Sequence, residues 1–237
     1  EVQFSIGAPA GAYDAVVVLN SPPEPLDVWC PDGNVWYLRQ EPDFPGFLPT
    51  PRFKLRPFAP YGRVMTQKKP KWLPTARWHS TPPLVGWHHG LDYDSLVKAP
   101  VPAKSANCSW VTSTKTMLPG HQKRMALLAT LRDRATPVEV FRRGFRPIAT
   151  KQVALDPFRY TLAIENTRIP HYWTEKISDA FLARTVPLYC GCPNVTSYFK
   201  PASFIAMDLD DPRAWAEQME EIIKKTPSSA HLDAVEE

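Results

Sequence analysis

Residues 162–193 read LAIENTRIPHYWTEKISDAFLARTVPLYCGCP and show most clearly how strands and helices alternate in this chain. An apolar run predicts a strand at Tyr160–Ile164, and Val186–Tyr189 predicts a second strand. Between them, Glu175–Ala183 has the residue pattern of a helix, and Thr174 is suited to be its N-cap. A strand, a helix and a strand in this order are typical of a parallel α/β sheet. In such sheets, ligands bind at the carboxyl ends of the strands, next to helix N-termini.

The same alternation continues on both sides of this stretch. The further predicted segments are strands at Cys108–Thr112, Val138–Phe141 and Phe204–Met207 and helices at Gly120–Arg134 and Arg213–Lys225. The first of these helices carries Met125, Leu128 and Leu131 on one side and basic residues on the other. We therefore predict a Rossmann-like parallel sheet in the C-terminal half, followed by a frayed polar tail at residues 226–237.

The N-terminal half differs in composition from the C-terminal half, because most of the 27 prolines lie in it. Proline lacks an N–H donor and disfavours helix in the preceding residue, so short strands and irregular loops are expected. Strands are predicted at Ala15–Leu19, Val35–Leu38 and Val64–Thr66. Residues 98–104, KAPVPAK, have the composition of a stiff linker. We therefore predict two domains, residues 1–104 and residues 105–237.

The composition limits the class of function. Hydrophobic residues make up 43% of the chain and charged residues 22%, which is typical of a globular protein with a buried core. The net charge of +4 is compatible with phosphate-bearing ligands. No basic stripe is interleaved with aromatic residues, and the cluster at Lys68–Lys71 is typical of a solvated loop. We therefore expect no nucleic-acid partner.

Lys176 stands in the first turn of a predicted helix, where the positive end of the helix dipole makes a lysine unfavourable. A nearby anion would offset this cost. A helix N-terminus combined with a lysine is a ready phosphate site, although a solvated lysine is the commoner explanation for such a residue taken alone.

Several runs of residues resemble the donor-binding signature of family-ten fucosyltransferases. They are Ala-Ile-Glu-Asn at 163–166, Thr-Glu-Lys at 174–176, Asp-Ala-Phe-Leu-Ala at 179–183 and Thr-Val-Pro-Leu-Tyr-Cys-Gly at 185–191. The resemblance continues downstream to residues 203–205 and upstream through 111–115, 119–124 and 141–144. It therefore covers most of residues 108–211.

This resemblance implies a GT-B fold with two Rossmann-like α/β domains, GDP-fucose as the donor, and transfer with inversion at the anomeric centre. Asn166, Tyr172, Glu175 and Lys176 match the donor-site residues of the family, and Arg124 matches the arginine that faces the diphosphate. The acceptor is expected to be a hydroxyl of a glycan or glycolipid. The N-terminal domain, which matches the family only loosely, is expected to lie on the acceptor side.

The expected chemistry needs neither a metal nor a cofactor. As the sugar leaves, negative charge builds on the diphosphate, and Lys176, Arg124 and the helix N-terminus are suited to stabilise it. Two Asp-x-Asp patterns, at 92–94 and 208–210, resemble the metal-binding pair of another glycosyltransferase class, but turn and helix-cap chemistry explains them better. Cys30, Cys108, Cys190 and Cys192 follow no zinc-binding spacing and are expected to be reduced thiols, mostly buried.

Inverting transfer needs a base that takes the proton of the acceptor hydroxyl. Glu41, at the end of a predicted strand and before Pro42, resembles the family's glutamate in the N-terminal domain, and Glu24 is the competing candidate. The pairs around His79 and His88 could line an acceptor site, but partly buried packing is the commoner role of such residues. His171, in the donor loop, has a better chance of approaching a ligand.

Alternative functions remain open at the level of sequence. A related enzyme could use another nucleotide sugar, and a non-catalytic nucleotide- or carbohydrate-binding module could keep the scaffold without the base. Animal relatives of the family are membrane-anchored, whereas no stretch of 18 or more apolar residues is present here. We therefore expect a cytoplasmic enzyme of surface polysaccharide synthesis, either free or peripheral to the membrane.

Overall fold

The computed structural model of the protein describes residues 6–7, 9–20, 27–31, 33–42, 61–71, 73–116, 119–141 and 145–236. The chain divides into two compact units, Glu1–Leu84 and Val85–Glu237. The boundary predicted at residue 104 lies inside the second unit. Residues before that boundary hydrogen-bond within this unit, since the Gln152 N–H donates to the His89 carbonyl at 2.9 Å.

The first unit contains a four-stranded parallel sheet in the order β2-β4-β5-β6. The strands of this unit are β1 (Gly11–Ala12), β2 (Val16–Leu19), β3 (Val28–Trp29), β4 (Val35–Leu38), β5 (Arg63–Thr66) and β6 (Trp78–Ser80). In β2, buried Val16 and Val18 alternate with exposed Val17 and Leu19, so one face of this edge strand covers the core. The three strands predicted here are confirmed, whereas β1, β3 and β6 were not predicted.

The second unit contains a five-stranded, fully parallel sheet in the order β11-β10-β9-β7-β8. Its strands are β7 (Ala106–Val111), β8 (Val138–Phe141), β9 (Phe158–Ile164), β10 (Val186–Cys190) and β11 (Ile205–Ala206). Its helices are α1 (Tyr93–Lys98), α2 (Pro119–Asp133), α3 (Gln152–Leu155), α4 (Glu175–Leu182), α5 (Pro212–Ile223) and α6 (Ser229–Glu236). The predicted alternation is confirmed.

The core of the second unit forms around the central strand β9, which is buried along nearly its whole length. A strand buried on both faces reads as a continuous apolar run, as in this segment. Leu127 and Leu131 of α2 and Met219 and Ile223 of α5 belong to the same buried cluster. The carboxyl end of β9 is therefore carried by the most rigidly packed part of the unit.

The prediction of a frayed C-terminal tail is wrong, because Ser229–Glu236 forms α6. Val235 is buried in the main core of the unit, which gives the short helix an apolar anchor. The Arg184 guanidinium donates to the carbonyls of Val235 and Glu236, at 3.4 and 3.3 Å. A cation at the last carbonyls of a helix also interacts favourably with its dipole.

Candidate active site

Glu165, directly after β9, ties the end of that strand to the start of α4. Its buried carboxylate accepts the Thr174 N–H at 2.8 Å and the Thr174 hydroxyl at 2.8 Å. Thr174 is the N-cap of α4, as predicted, and its Oγ1 accepts the Lys176 N–H. One buried carboxylate thus fixes both the cap and the direction of the helix.

The Glu165 carboxylate also supplies the negative charge that offsets the unfavourable position of Lys176 at the start of α4. The Lys176 Nζ donates to Glu165 Oε2 at 3.0 Å and to Thr174 Oγ1 at 2.9 Å. These contacts use two of the three ammonium donors. The side chain is 20% exposed, so the third donor can reach a ligand at the N-terminus of α4.

Arg124, on the first turns of α2, is a buried cation beside Asn166. Its Nη1 donates to Asn166 Oδ1 at 3.0 Å, while its Nε is buried without a hydrogen-bond partner among the described residues. Burial lowers the pKa of Arg124, against the opposing effects of Glu165 and Tyr172 nearby. A buried donor without a partner is costly, and an anion bound beside it would offset that cost.

The N-terminus of α2 lies directly against the backbone that carries Asn166. A Cβ at Gly120 would stand 2.2 Å from the Asn166 carbonyl oxygen, so only glycine allows this approach. The next residue, His121, is buried, and burial and the charge of Arg124 lower its pKa, while a hydrogen bond with Asn166 opposes this. His121 was not predicted as a site residue, although it stands in the 119–124 segment of the resemblance, which was the one signal that could have indicated it.

Glu175, at the first position of α4, is bound by a lysine that sequence reasoning missed. Lys151 Nζ donates to Glu175 Oε1 at 3.2 Å and to Asp179 Oδ2 at 2.7 Å. Burial alone would raise the pKa of the Glu175 carboxyl, but the charges of Lys176 and Lys151 outweigh it and lower that pKa to about 2. Glu175 is therefore ionised at neutral pH.

The loop between β9 and α4 places Tyr172, which is buried. His171 before it adopts a left-handed backbone with φ of 63°, and its N–H donates to Asn194 Oδ1 at 2.8 Å. The His171 ring nitrogen Nδ1 lies 2.6 Å from the Tyr198 hydroxyl. These contacts of His171, the histidine expected to approach a ligand, fix the conformation of the loop between β9 and α4.

The residues predicted for the donor site surround the carboxyl end of β9. All of them belong to the second unit and lie on α2 (Arg124), in the loop after β9 (Asn166 and Tyr172) and on the first turn of α4 (Glu175 and Lys176). Of the histidines considered for an acceptor site, His89 is buried and bonded to Asp156 at 2.8 Å, which is a packing role.

Glu41 belongs to the first unit and follows β4 with an exposed side chain. Its backbone N–H donates to Asn20 Oδ1 at 3.3 Å, which fixes the start of this loop. The competing candidate Glu24 and residues 142–144 of the upstream motif lie outside the described residues.

In the two Asp-x-Asp regions, Asp92 and Asp211 are helix N-caps, whereas Asp208 and Asp210 pair with Arg168 and Lys123. Asp92 accepts the Ser95 N–H at the start of α1, and Asp211 accepts the N–H groups of Arg213 and Ala214 at the start of α5. In the described part of the chain, no group of three or more His, Cys, Asp or Glu side chains is placed to hold a metal ion. All four cysteines are free, and Cys108 and Cys192 are buried.

Comparison with known families places this site in a defined context. The sequence profile described as "Glycosyltransferase family 10 (fucosyltransferase) C-term" matches residues 101–229, which is more than half of the chain. The chain belongs to glycosyltransferase family 10. The match confirms the resemblance seen in the sequence, and the matched range, residues 101–229, covers every residue predicted for the donor site.

Known fucosyltransferases match the chain over short stretches. The alpha-(1,3)-fucosyltransferase FucT of Helicobacter pylori is 34% identical over 91 residues, which is 38% of this chain and 19% of that enzyme. The alpha-(1,4)-fucosyltransferase of Arabidopsis thaliana is 40% identical over 52 residues, 22% of this chain and 13% of that enzyme. The chain thus matches less than a fifth of the length of either relative.

Solved structures of alpha1,3-fucosyltransferases share the fold. A crystal structure of an alpha1,3-fucosyltransferase with GDP-fucose aligns with a TM-score of 0.52 and 18% identity over 100% of this chain and 85% of that chain. Another alpha1,3-fucosyltransferase structure gives a TM-score of 0.51 and 19% identity over 86% of this chain and 63% of that one. The predicted fold class, α/β of the GT-B type with parallel sheets, is confirmed. No helix among the described residues is long and apolar enough to cross a membrane.

Proposed function

We propose that this family-10 chain transfers fucose from GDP-fucose to a hydroxyl of a glycan or glycolipid, with inversion and without a metal ion. The observation that carries the proposal is the buried Arg124, with an unpaired Nε, beside Asn166 at the carboxyl end of β9. Lys176 and the N-terminus of α4 add positive charge at the same strand end. The second unit would bind the donor and the first would bind the acceptor.

These groups suit a leaving diphosphate. Negative charge grows on it as the sugar departs, and preorganised cations and N–H donors stabilise that charge most strongly where water is excluded. Glu165 holds Lys176 and the cap of α4 in one arrangement before any ligand arrives. Glu175 is ionised, so it would accept hydrogen bonds from sugar hydroxyls or face an oxocarbenium-like sugar, and would not act as an acid.

Glu41 is the proposed general base. Its carboxylate is exposed at the carboxyl end of β4, and no described residue hydrogen-bonds it, so an acceptor hydroxyl could reach it. Glu41→Gln should spare donor binding and slow the chemical step by about 10²–10⁴-fold, the usual contribution of a general base. Turnover that is unchanged in Glu41→Gln but lost in Glu24→Gln would move the assignment to Glu24.

Calorimetric titration of the purified chain tests the donor proposal. GDP, GDP-fucose, GDP-mannose and UDP-galactose are each titrated with and without EDTA, and donor turnover is then measured with candidate acceptors. Selective binding of GDP and GDP-fucose that EDTA does not affect supports the proposal. Binding of another nucleotide sugar would change the donor, and binding without transfer or donor hydrolysis would indicate a non-catalytic module.

A further inference from the structure

Lys151 is a buried cation that the proposed chemistry does not use directly. It lies just before α3, yet its side chain reaches α4 and is only 12% exposed. Its Nζ contacts carboxylates on two successive turns of that helix, at 3.2 Å from Glu175 Oε1 and 2.7 Å from Asp179 Oδ2. A lysine placed in this way can determine where both carboxylates point.

Asp179 anchors Lys151 from the other side. Its side chain is 1% exposed, and its second oxygen, Oδ1, accepts the backbone N–H of His88 at 2.7 Å. A buried polar group whose hydrogen bonds are all satisfied is held rigidly in place. Asp179 is therefore a fixed point against which the lysine is held.

The residues next to Lys151 are fixed as well. The Gln152 N–H donates to the His89 carbonyl at 2.9 Å, and His89 Nε2 lies 2.8 Å from Asp156 Oδ1 at the end of α3. Gly90, with φ of 117°, packs so closely that a Cβ there would stand 2.9 Å from Thr150 Cβ. The backbone that carries Lys151 thus has little freedom to move relative to α4.

The two carboxylate oxygens of Glu175 differ in their contacts. Lys151 binds Oε1, and His88 Nδ1 lies 3.8 Å from that same oxygen. Within the described residues, no donor hydrogen-bonds Oε2. We propose that Lys151 and Asp179 are positioning residues that hold Glu175 by Oε1, so that Oε2 is presented to the hydroxyls of the sugar in the bound donor.

This inference rests on the proposed function, because it concerns the sugar part of the donor. A positioning role and a general structural role predict different effects on the binding of GDP-fucose and of GDP. Loss of the positioning should weaken GDP-fucose binding and leave GDP binding unchanged, because GDP lacks the fucose hydroxyls from which Glu175 Oε2 would accept hydrogen bonds. A structural defect would weaken both ligands together.

The decisive variant is Lys151→Met combined with Asp179→Asn. Lys151→Met alone would leave the buried Asp179 carboxylate without a cation and could prevent folding, whereas the double variant removes one positive and one negative charge, and its new amide oxygen can still accept the His88 N–H. We expect kcat/KM for GDP-fucose to fall by about 10²-fold, the loss of rate that a misplacement of about 1 Å can cause, and GDP-fucose affinity to fall with it. Its GDP affinity should stay within about twofold of wild type.

Two further variants control for charge. Lys151→Arg keeps the cation and should restore part of the GDP-fucose affinity. Lys224→Met removes an exposed lysine that pairs with Glu221 on α5 at 2.7 Å, and it should leave both ligands unaffected. Thermal unfolding of each variant without ligand shows that it is folded before its affinities are compared.

The pH profile gives a second readout. Glu175 faces Lys176 on its own helix, Lys151 before α3 and His88 before α1, with Asp179 one turn further along α4. Removal of Lys151 raises the pKa of Glu175. GDP-fucose binding in the double variant should then weaken as the pH falls toward about 4.3, where an ordinary glutamate is protonated, while wild type keeps its affinity there.

The outcomes separate the two proposals. Wild type that binds no guanine nucleotide overturns the proposed function, and this inference with it. Wild type that binds both ligands, with a folded double variant whose ratio of GDP-fucose to GDP affinity is unchanged, overturns the positioning role alone.

Discussion

At the level of single residues, the burial of Arg124 is easier to explain by the proposed binding of an anion than by the stability of the fold. The guanidinium is 5% exposed, donates to Asn166 and leaves its Nε unpaired. A buried ion with an unsatisfied donor stabilises the fold little, and an apolar residue of similar length is often tolerated in its place. We therefore expect Arg124 to contribute to the free energy of unfolding only when an anion is bound.

Arg124→Met should separate the two effects. Without ligand, the free energy of unfolding of the variant should be within about 1 kcal/mol of wild type or higher. GDP at about 100 times its Kd should stabilise wild type by about 2.7 kcal/mol and the variant not at all at that concentration. Urea denaturation with and without GDP measures both, with the exposed Arg213→Met as a matched control. A large loss of stability without ligand would make Arg124 a structural residue.

Glu165 should have the opposite profile, since its role is structural before it is functional. Its carboxylate accepts bonds from Thr174 and Lys176 in a buried position. Glu165→Gln should lower the free energy of unfolding by about 1.5–3 kcal/mol, the range for hydrogen bonds to charged groups. Glu221→Gln breaks an exposed ion pair with Lys224 and should leave unfolding unchanged. Equal effects in the two variants would contradict the anchoring role.

At the level of elements, the approach of α2 to the end of β9 decides the shape of the site. The Asn166 carbonyl group lies 2.2 and 2.7 Å, by its O and C atoms, from where a Cβ of Gly120 would stand. These are backbone atoms that cannot rotate away, so Gly120→Ala must push the helix from the strand.

Gly120→Ala should therefore destabilise the protein by about 1–3 kcal/mol, as overpacking does, although alanine favours helix. GDP affinity should fall as well, because Arg124 on the same helix moves away from Asn166. Gly86→Ala is the control, since nothing lies within 4 Å of a Cβ there, and it should change stability by no more than about 0.5 kcal/mol. Denaturation and calorimetry of both variants give the comparison.

The elements that carry the site could be predicted from the sequence, because each shows its own periodic pattern. Helix α4 with its cap Thr174 and strands β9 and β10 are found within one residue or two of their predicted ends. The short helices α3 and α6 were missed, because their stability comes from tertiary contacts such as buried Val235, and these have no signature in local sequence.

The sequence indicated candidate residues for the site but not the contacts between them. The sequence indicated that Lys176 needs an anion, yet gave no means to see that Glu165 supplies it. The partnership of Lys151 with Glu175 and Asp179 spans 24 and 28 residues and depends on how α3 packs beside α4. Only the i, i+4 spacing of the two acids on α4 hinted at a shared partner.

At the level of the whole molecule, the division of the chain decides which residues complete the donor site. The composition of residues 98–104 placed the boundary at residue 104, whereas the compact units divide after Leu84. Residues 85–104 make specific polar contacts within the second unit. The His88 N–H bonds Asp179, His89 bonds Asp156, and Lys104 Nζ donates to the Ala183 carbonyl at 2.6 Å.

Two fragments distinguish these divisions. Residues 85–237 should unfold cooperatively in urea and bind GDP, because both the core and the contacts of Asp179 are complete in them. Residues 105–237 lose the bonds that His88, His89 and Lys104 make to Asp179, Asp156 and Ala183, and they should be less stable by at least about 3 kcal/mol, since bonds to charged groups contribute about 1.5–3 kcal/mol each. GDP affinity should fall with them, because α3 and α4 are no longer held together through His88 and His89. Equal stability and equal GDP affinity of the two fragments would instead place the boundary at residue 104 and make residues 85–104 a true linker.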